Sequence, residues 1–89
     1  MEFIQFQGKN TLSLRQLDAL NCVMKGTSFR RFRAREQALT EGEDYFLLDA
    51  GEHAGLLESL RARGLIYPST VNCLLITESG YRKLQADEG

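Results

Sequence analysis

The chain has 89 residues, 43% of them hydrophobic, with a formal net charge of −1, which bounds it to one small globular domain with one modest core. Its apolar runs are far too short to span a bilayer and Met1 is followed at once by Glu2 rather than by the start of a secretory signal, so the default address is the cytoplasm, away from membranes. Cys22 and Cys73 have neither the paired spacing of a zinc site nor the density of a disulfide scaffold, and both read as free, partly buried thiols.

In chain order, "FIQFQG" has the aromatic and β-branched content of a short strand that ends where Gly8 permits a turn. Ser13 and Gln16 form a capping-box pattern that starts a first helix at Leu14. At about 100° per residue, Leu14, Leu17, Leu20, Asn21 and Met24 share a face, and Gly26 offers a left-handed stop after Met24. Thr27 or Ser28 caps a second helix whose apolar stripe is Phe29, Phe32 and Leu39. Glu36 falls at the margin of that stripe, within i, i+3 reach of Arg33, and Ala34 and Ala38 sit between the arginines of the outer face.

After the turn "TEGED", the run Tyr45 to Leu48 reads as a buried strand, and Asp49 with Glu52 repeats the capping signature for a third helix. That helix carries His53, Leu56, Leu57 and Leu60 inward and stops at Gly64. "LIYPSTVNCLLIT" reads as two strands around a turn at Pro68 to Thr70, a hairpin over residues 65–76. Thr77 then caps a short helix holding Tyr81 and Leu84, before a frayed tail at 86–89. No repeat, linker or low-complexity tract interrupts this order.

Charge is segregated along the chain. Lys25, Arg30, Arg31, Arg33 and Arg35 have no acidic residue among them, whereas Glu36, Glu41, Glu43, Asp44, Asp49, Glu52 and Glu58 follow with no Lys or Arg between. A block of this kind is ordinarily solvated surface, and segregation this sharp also suits a charged partner. Catalytic chemistry has little to work with. The single histidine lies on an apolar helix face, no metal trio assembles around it, and neither a dinucleotide fingerprint nor a Walker pattern occurs. The sequence therefore points away from an enzyme and implies no cofactor or metal.

Two helices joined by a Lys25-Gly26-Thr27 turn match the helix-turn-helix plan, with the second helix entering the major groove of duplex DNA. The hairpin at 65–76 would then serve as a wing. Guanidinium forks suit phosphate oxygens and the guanine edge, and Thr27 and Ser28 hydroxyls add phosphate contacts. Tyr45, Phe46 and Tyr67 offer stacking surfaces to bases, or else core packing.

Taken together, the "LSLRQLDAL" helix, "KGTSFRRFR", "EGEDYFLLD" and "STVNCLLITESGYRKL" resemble the N-terminal DNA-binding domains of phage antirepressors of the KilA and BRO type. The resemblance covers residues 12 to 84 and is carried most by "LLITESGYRKL". It implies a small α+β, winged-helix-like module of phage or mobile-element origin, acting in transcriptional regulation. By position it implies DNA contact through Arg30, Arg31, Arg33 and Arg35, with structural roles for Gly80 and Tyr81, while the helix-turn-helix reading adds Lys25, Thr27 and Ser28 to the expected contacts. Many antirepressors carry a second, regulatory domain, to which the resemblance at residues 12 to 84 does not extend. A protein-interaction module acting through the acidic segment 36–58, such as a small phage inhibitor of a host system, is the other reading. A homodimer whose interface covers the third helix is compatible with both.

Overall fold

Gln7 and Gly8 take positive φ values of 49° and 78°, the pair required at the centre of a tight hairpin turn whose twist matches its strands. They join β1 (Ile4–Phe6) to β2 (Lys9–Ser13). The sequence reading ended at the turn and missed β2, because Lys9 and Asn10 are polar and exposed. The strand's inward residues are the hydroxyl-bearing Thr11 and Ser13 as well as Leu12, and Thr11 Oγ1 donates to the Ile4 carbonyl at 2.7 Å.

The computed structural model describes residues 2–86. The remaining elements are α1 (Leu14–Leu20), α2 (Thr27–Ala34), a single 3-10 turn (Glu36–Ala38), β3 (Tyr45–Leu48), α3 (Ala54–Ala62), β4 (Cys73–Thr77) and α4 (Glu78–Ala86). Of the tail expected at 86–89, Ala86 closes α4 and the rest lies outside the described residues.

The four strands form one antiparallel sheet in the order β1-β2-β4-β3, with Leu12 opposite Ile76 and Phe46 opposite Leu75. Alternation along β4 divides the core between two faces. Cys73 and Leu75 join Ile4, Phe46, Leu48, Ile66 and the α3 residues Leu57 and Leu60. Leu74 and Ile76 point the other way, to Leu12, Leu17 of α1, Phe32 of α2, Leu39 and Leu84 of α4. The domain is thus a small α+β fold, with α3 on one face of the sheet and α1, α2 and α4 on the other. Its Cα radius of gyration, 12.2 Å, matches the value of about 12 Å expected for one compact domain of this length.

Local signals explain most boundaries. Ser13 and Gln16 make the reciprocal capping box at the start of α1. Thr77 Oγ1 accepts from the Gly80 amide at 3.2 Å, capping α4, while Asp49 Oδ2 accepts from the amides of Gly51 and Glu52 in the turn leading to α3. Gly80 is required by a close approach, because a Cβ there would lie 2.0 Å from the Asp44 carbonyl oxygen.

Three expectations are corrected. The first helix ends at Leu20 rather than Met24, since Cys22 adopts φ 55° and the Val23 amide reaches back to the Asp18 carbonyl at 3.0 Å, a helix-ending pattern usually built on glycine. Met24 is consequently 81% exposed and Leu20 is exposed with it. The hairpin at 65–76 is absent: only β4 forms, and residues 65–72 make a loop around a Tyr67–Thr70 turn. Its carbonyls are taken by side chains instead of a strand. Leu65 O accepts from Ser13 Oγ, Ile66 O from Arg15, and the Pro68 and Thr70 carbonyls from Arg61. Third, Cys22 is exposed while Cys73 is buried; both are free thiols.

Candidate nucleic-acid interface

Asp18 organises this region. It is buried in the last turns of α1, with Oδ2 accepting from the Gly26 amide at 3.1 Å and Oδ1 from the Ser28 amide at 2.9 Å. These are amides of the first turn of α2, which has Gly26 as its N-cap and no side-chain cap of its own. A carboxylate from the preceding helix does that work, satisfying orphan donors and the positive end of the helix dipole. Tyr67 in the 65–72 loop donates its hydroxyl to the same Oδ2 at 2.6 Å. Burial alone would raise the Asp18 pKa, but the bonds from Tyr67, Ser28 and Gly26 outweigh it and hold the carboxyl below its ordinary range. Tyr67 responds in the opposite sense, and burial together with its bond to Asp18 pushes the phenol up to about 12.

The cations expected to act together divide over three sides of α2. Lys25 and Arg30 stay on the outer side. Lys25 Nζ stands 4.8 Å from the centre of the Tyr67 ring and Arg30 donates to Thr27 Oγ1 at 3.2 Å. Arg33 lies beside the Phe29 ring, 5.9 Å from its centre, and pairs with Glu36 at 3.3 Å, the i, i+3 contact its spacing suggested. Arg31 sits on the opposite flank, lining a crevice with Leu17 and the α4 residues Tyr81 and Leu84. Arg35 follows the last turn of α2 as its C-cap, half-buried. Ser28 is turned inward, 3% exposed, with its amide committed to Asp18. It is withdrawn as a phosphate contact.

Phe29 is the main departure from the expected face. Phe32 is buried at 2% and meets Tyr45 edge-on at 4.9 Å, whereas Phe29 is 42% exposed. It lines an open groove of about 390 Å³ between α2 and the 65–72 loop, together with Arg15, Tyr67, Ser69, Thr70 and Asn72. Arg15 enters this site from α1, its guanidinium 5.4 Å from the Tyr67 ring centre while it holds the Ile66 carbonyl at 3.1 Å. Sequence reading passed over Arg15. A signal was present, since a cation in the first turn of a helix opposes the dipole and suggests a use elsewhere. Tyr45 and Phe46, the other aromatics considered for stacking, are packed against Phe32 and Phe6 respectively.

The acidic segment is less continuous than its sequence implies. Asp44 is fully buried, with Oδ2 accepting from Lys83 at 2.7 Å and from the Thr40 amide at 2.9 Å, and Oδ1 from Ser79 at 2.6 Å. Burial pushes its pKa up, but the bonds from Lys83, Ser79 and Thr40 more than compensate and leave it low. Asp44 is therefore a structural anchor and not part of an acidic surface. Glu41, Glu43, Glu52 and Glu58 remain exposed.

His53 is half-buried as expected, edge-on to Phe6 at 5.8 Å. Among the described residues no group of three His, Cys, Asp or Glu side chains is placed to hold a metal, and no helix is long and apolar enough to cross a membrane. In comparisons with known proteins, the chain matches no family model, no curated protein and no solved structure.

Proposed function

We propose that the chain is a DNA-binding module of the phage or mobile-element kind, related in plan to antirepressor N-terminal domains and acting in transcriptional regulation. The observation that carries the reading is that Arg15 and Lys25 lie over the Tyr67 ring and Arg33 over the Phe29 ring, the two aromatic side chains of a groove that no carboxylate lines, with Arg30 held by Thr27 in the first turn of α2. Cations of this kind neutralise phosphates, and their summed field steers a polyanion toward the site. α1, the 21–26 turn and α2 supply a helix-turn-helix reading, with the 65–72 loop beside α2 in the position given earlier to a wing. Duplex DNA is the partner assigned, through Lys25, Thr27, Arg30 and Arg33 of the original set and Arg15 in addition.

Binding to an arbitrary duplex, followed by anisotropy over a salt series, tests this. With about four phosphates neutralised, log K against log salt should have a slope of roughly −3 to −4. Replacing Lys25 and Arg30 with Gln should flatten it by about 2. A wild-type chain showing no salt-dependent binding would shift the assignment to protein recognition through the exposed Glu41 and Glu43.

A further inference from the structure

We propose that the groove between α2 and the 65–72 loop receives a single nucleobase displaced from the duplex, with Phe29 as its stacking face. The proposal rests on the DNA reading above and specifies what the groove takes. Phe29 is 42% exposed on a helix that has room for Phe32 in the core, so the sequence spends a large apolar side chain on the surface. An aromatic ring presented beside cations is the combination on which bases stack, and every base has a face to offer. Arg33 over Phe29 and Arg15 and Lys25 over Tyr67 put cations beside both aromatic rings that line the groove, the charge that the phosphates flanking a displaced nucleotide call for.

Asn72, Thr70 and Ser69 line the same groove. A side-chain amide presents a donor and an acceptor side by side, the pattern that reads the edge of adenine, and hydroxyls serve either role. At about 390 Å³ the space falls within the range of about 300 to 1,000 Å³ found for sites that enclose small organic groups. The groove is also held in shape before anything enters. Ser13, Arg15 and Arg61 fix four carbonyls of the loop, and Tyr67 is tied to Asp18. A site held this way pays little ordering entropy on binding.

Three duplexes of one sequence test it: fully paired, carrying one unpaired adenine as a bulge, and carrying the same bulge with an abasic nucleotide. Extrusion costs least where a base has no partner, so the wild-type chain should bind the bulged duplex roughly tenfold or more tighter than the paired one, a preference the abasic duplex lacks. Phe29→Ala should bring the bulged duplex down to the paired level without altering the salt slope, and Asn72→Ala should weaken the preference for adenine over a bulged pyrimidine. Equal binding of all three duplexes with a normal salt slope overturns the base site and leaves the DNA reading standing. No salt-dependent binding to any of them overturns both. A preference retained in full by both variants overturns the assignment of the groove.

Discussion

The Tyr67 hydroxyl and Asp18 Oδ2 lie 2.6 Å apart although 49 residues separate them in sequence. Through that bond the 65–72 loop, the end of α1 and the start of α2 share one buried carboxylate. Asp18→Asn keeps the size of the side chain but loses an acceptor and the charge, leaving the Gly26 or Ser28 amide and the phenol competing for what remains. A loss of about 2 to 3 kcal/mol is expected. Tyr67→Phe leaves Asp18 with both backbone donors and should cost about 1 kcal/mol. Urea denaturation of the two variants checks the order, and a Tyr67→Phe loss exceeding that of Asp18→Asn would deny Asp18 the central role.

Phe29 and Phe32 separate surface from core on one short helix. Phe32→Ala opens a cavity against Tyr45 and should cost roughly 3 to 5 kcal/mol, enough to unfold a domain this small. Phe29→Ala removes a ring already 42% exposed and should change stability by less than about 1 kcal/mol. Thermal melts of the pair decide the matter; equal losses would mean that Phe29 is buried in solution.

Gly80→Ala places a methyl group where the Asp44 carbonyl already stands. That carbonyl accepts from both the Thr77 amide and the Thr77 hydroxyl, so it cannot yield without breaking the cap of α4. Although alanine is the better helix former by about 1 kcal/mol, the substitution should destabilise by about 2 kcal/mol or more through overpacking. Stabilisation, as propensity alone would give, would contradict the close approach.

Stability should hold a plateau between mildly acidic and mildly alkaline pH. The folded carboxyls of Asp18 and Asp44 lie below their ordinary 3.8, so what they contribute is complete above that value and lost as pH falls through the lower folded values. At the other end the folded chain keeps the Cys73 proton to about 11 and the Tyr67 proton to about 12, against 9.0 and 10.0 when unfolded. Burial raises both, and each therefore favours unfolding from its unfolded value upward. Lys83, raised above 10.5 chiefly by its hydrogen bond to Asp44, loses its contribution as pH climbs through that higher value. Urea midpoints should decline from about pH 9, and Cys73→Ala should remove the earliest part of the decline. A midpoint that rises over pH 9 to 11 would contradict these shifts.

Much of the frame was legible in the sequence because its signals were local. The Ser13–Gln16 box, the Tyr45–Leu48 strand, the Thr77 cap and the Arg33–Glu36 pair each depend on neighbours a few residues away, and each is found where its pattern placed it. What escaped was decided at long range. Leu65 and Ile66 have the composition of a strand, yet Ser13 and Arg15, about fifty positions earlier, take their carbonyls. Leu20 and Met24 continue the helical stripe on paper, but the chain turns back at Cys22 and leaves both in water. The groove falls in the same class. Its aromatic Phe29 had the spacing of a core residue, yet it stands exposed beside a loop that Asp18 anchors through Tyr67.

The position of β4 bears on how the chain folds as it is made. Its neighbours in the sheet are β2 and β3, yet it comes last among the strands in sequence. A growing chain can close the β1–β2 hairpin early, but Tyr45–Leu48 waits for its neighbouring strand until residue 77 has left the ribosome. At synthesis rates of about 5 to 20 residues per second, that interval lasts a few seconds. For that time an apolar Tyr-Phe-Leu-Leu segment lacks the strand it pairs with, and an unpaired strand of this kind is a template for pairing with other nascent copies.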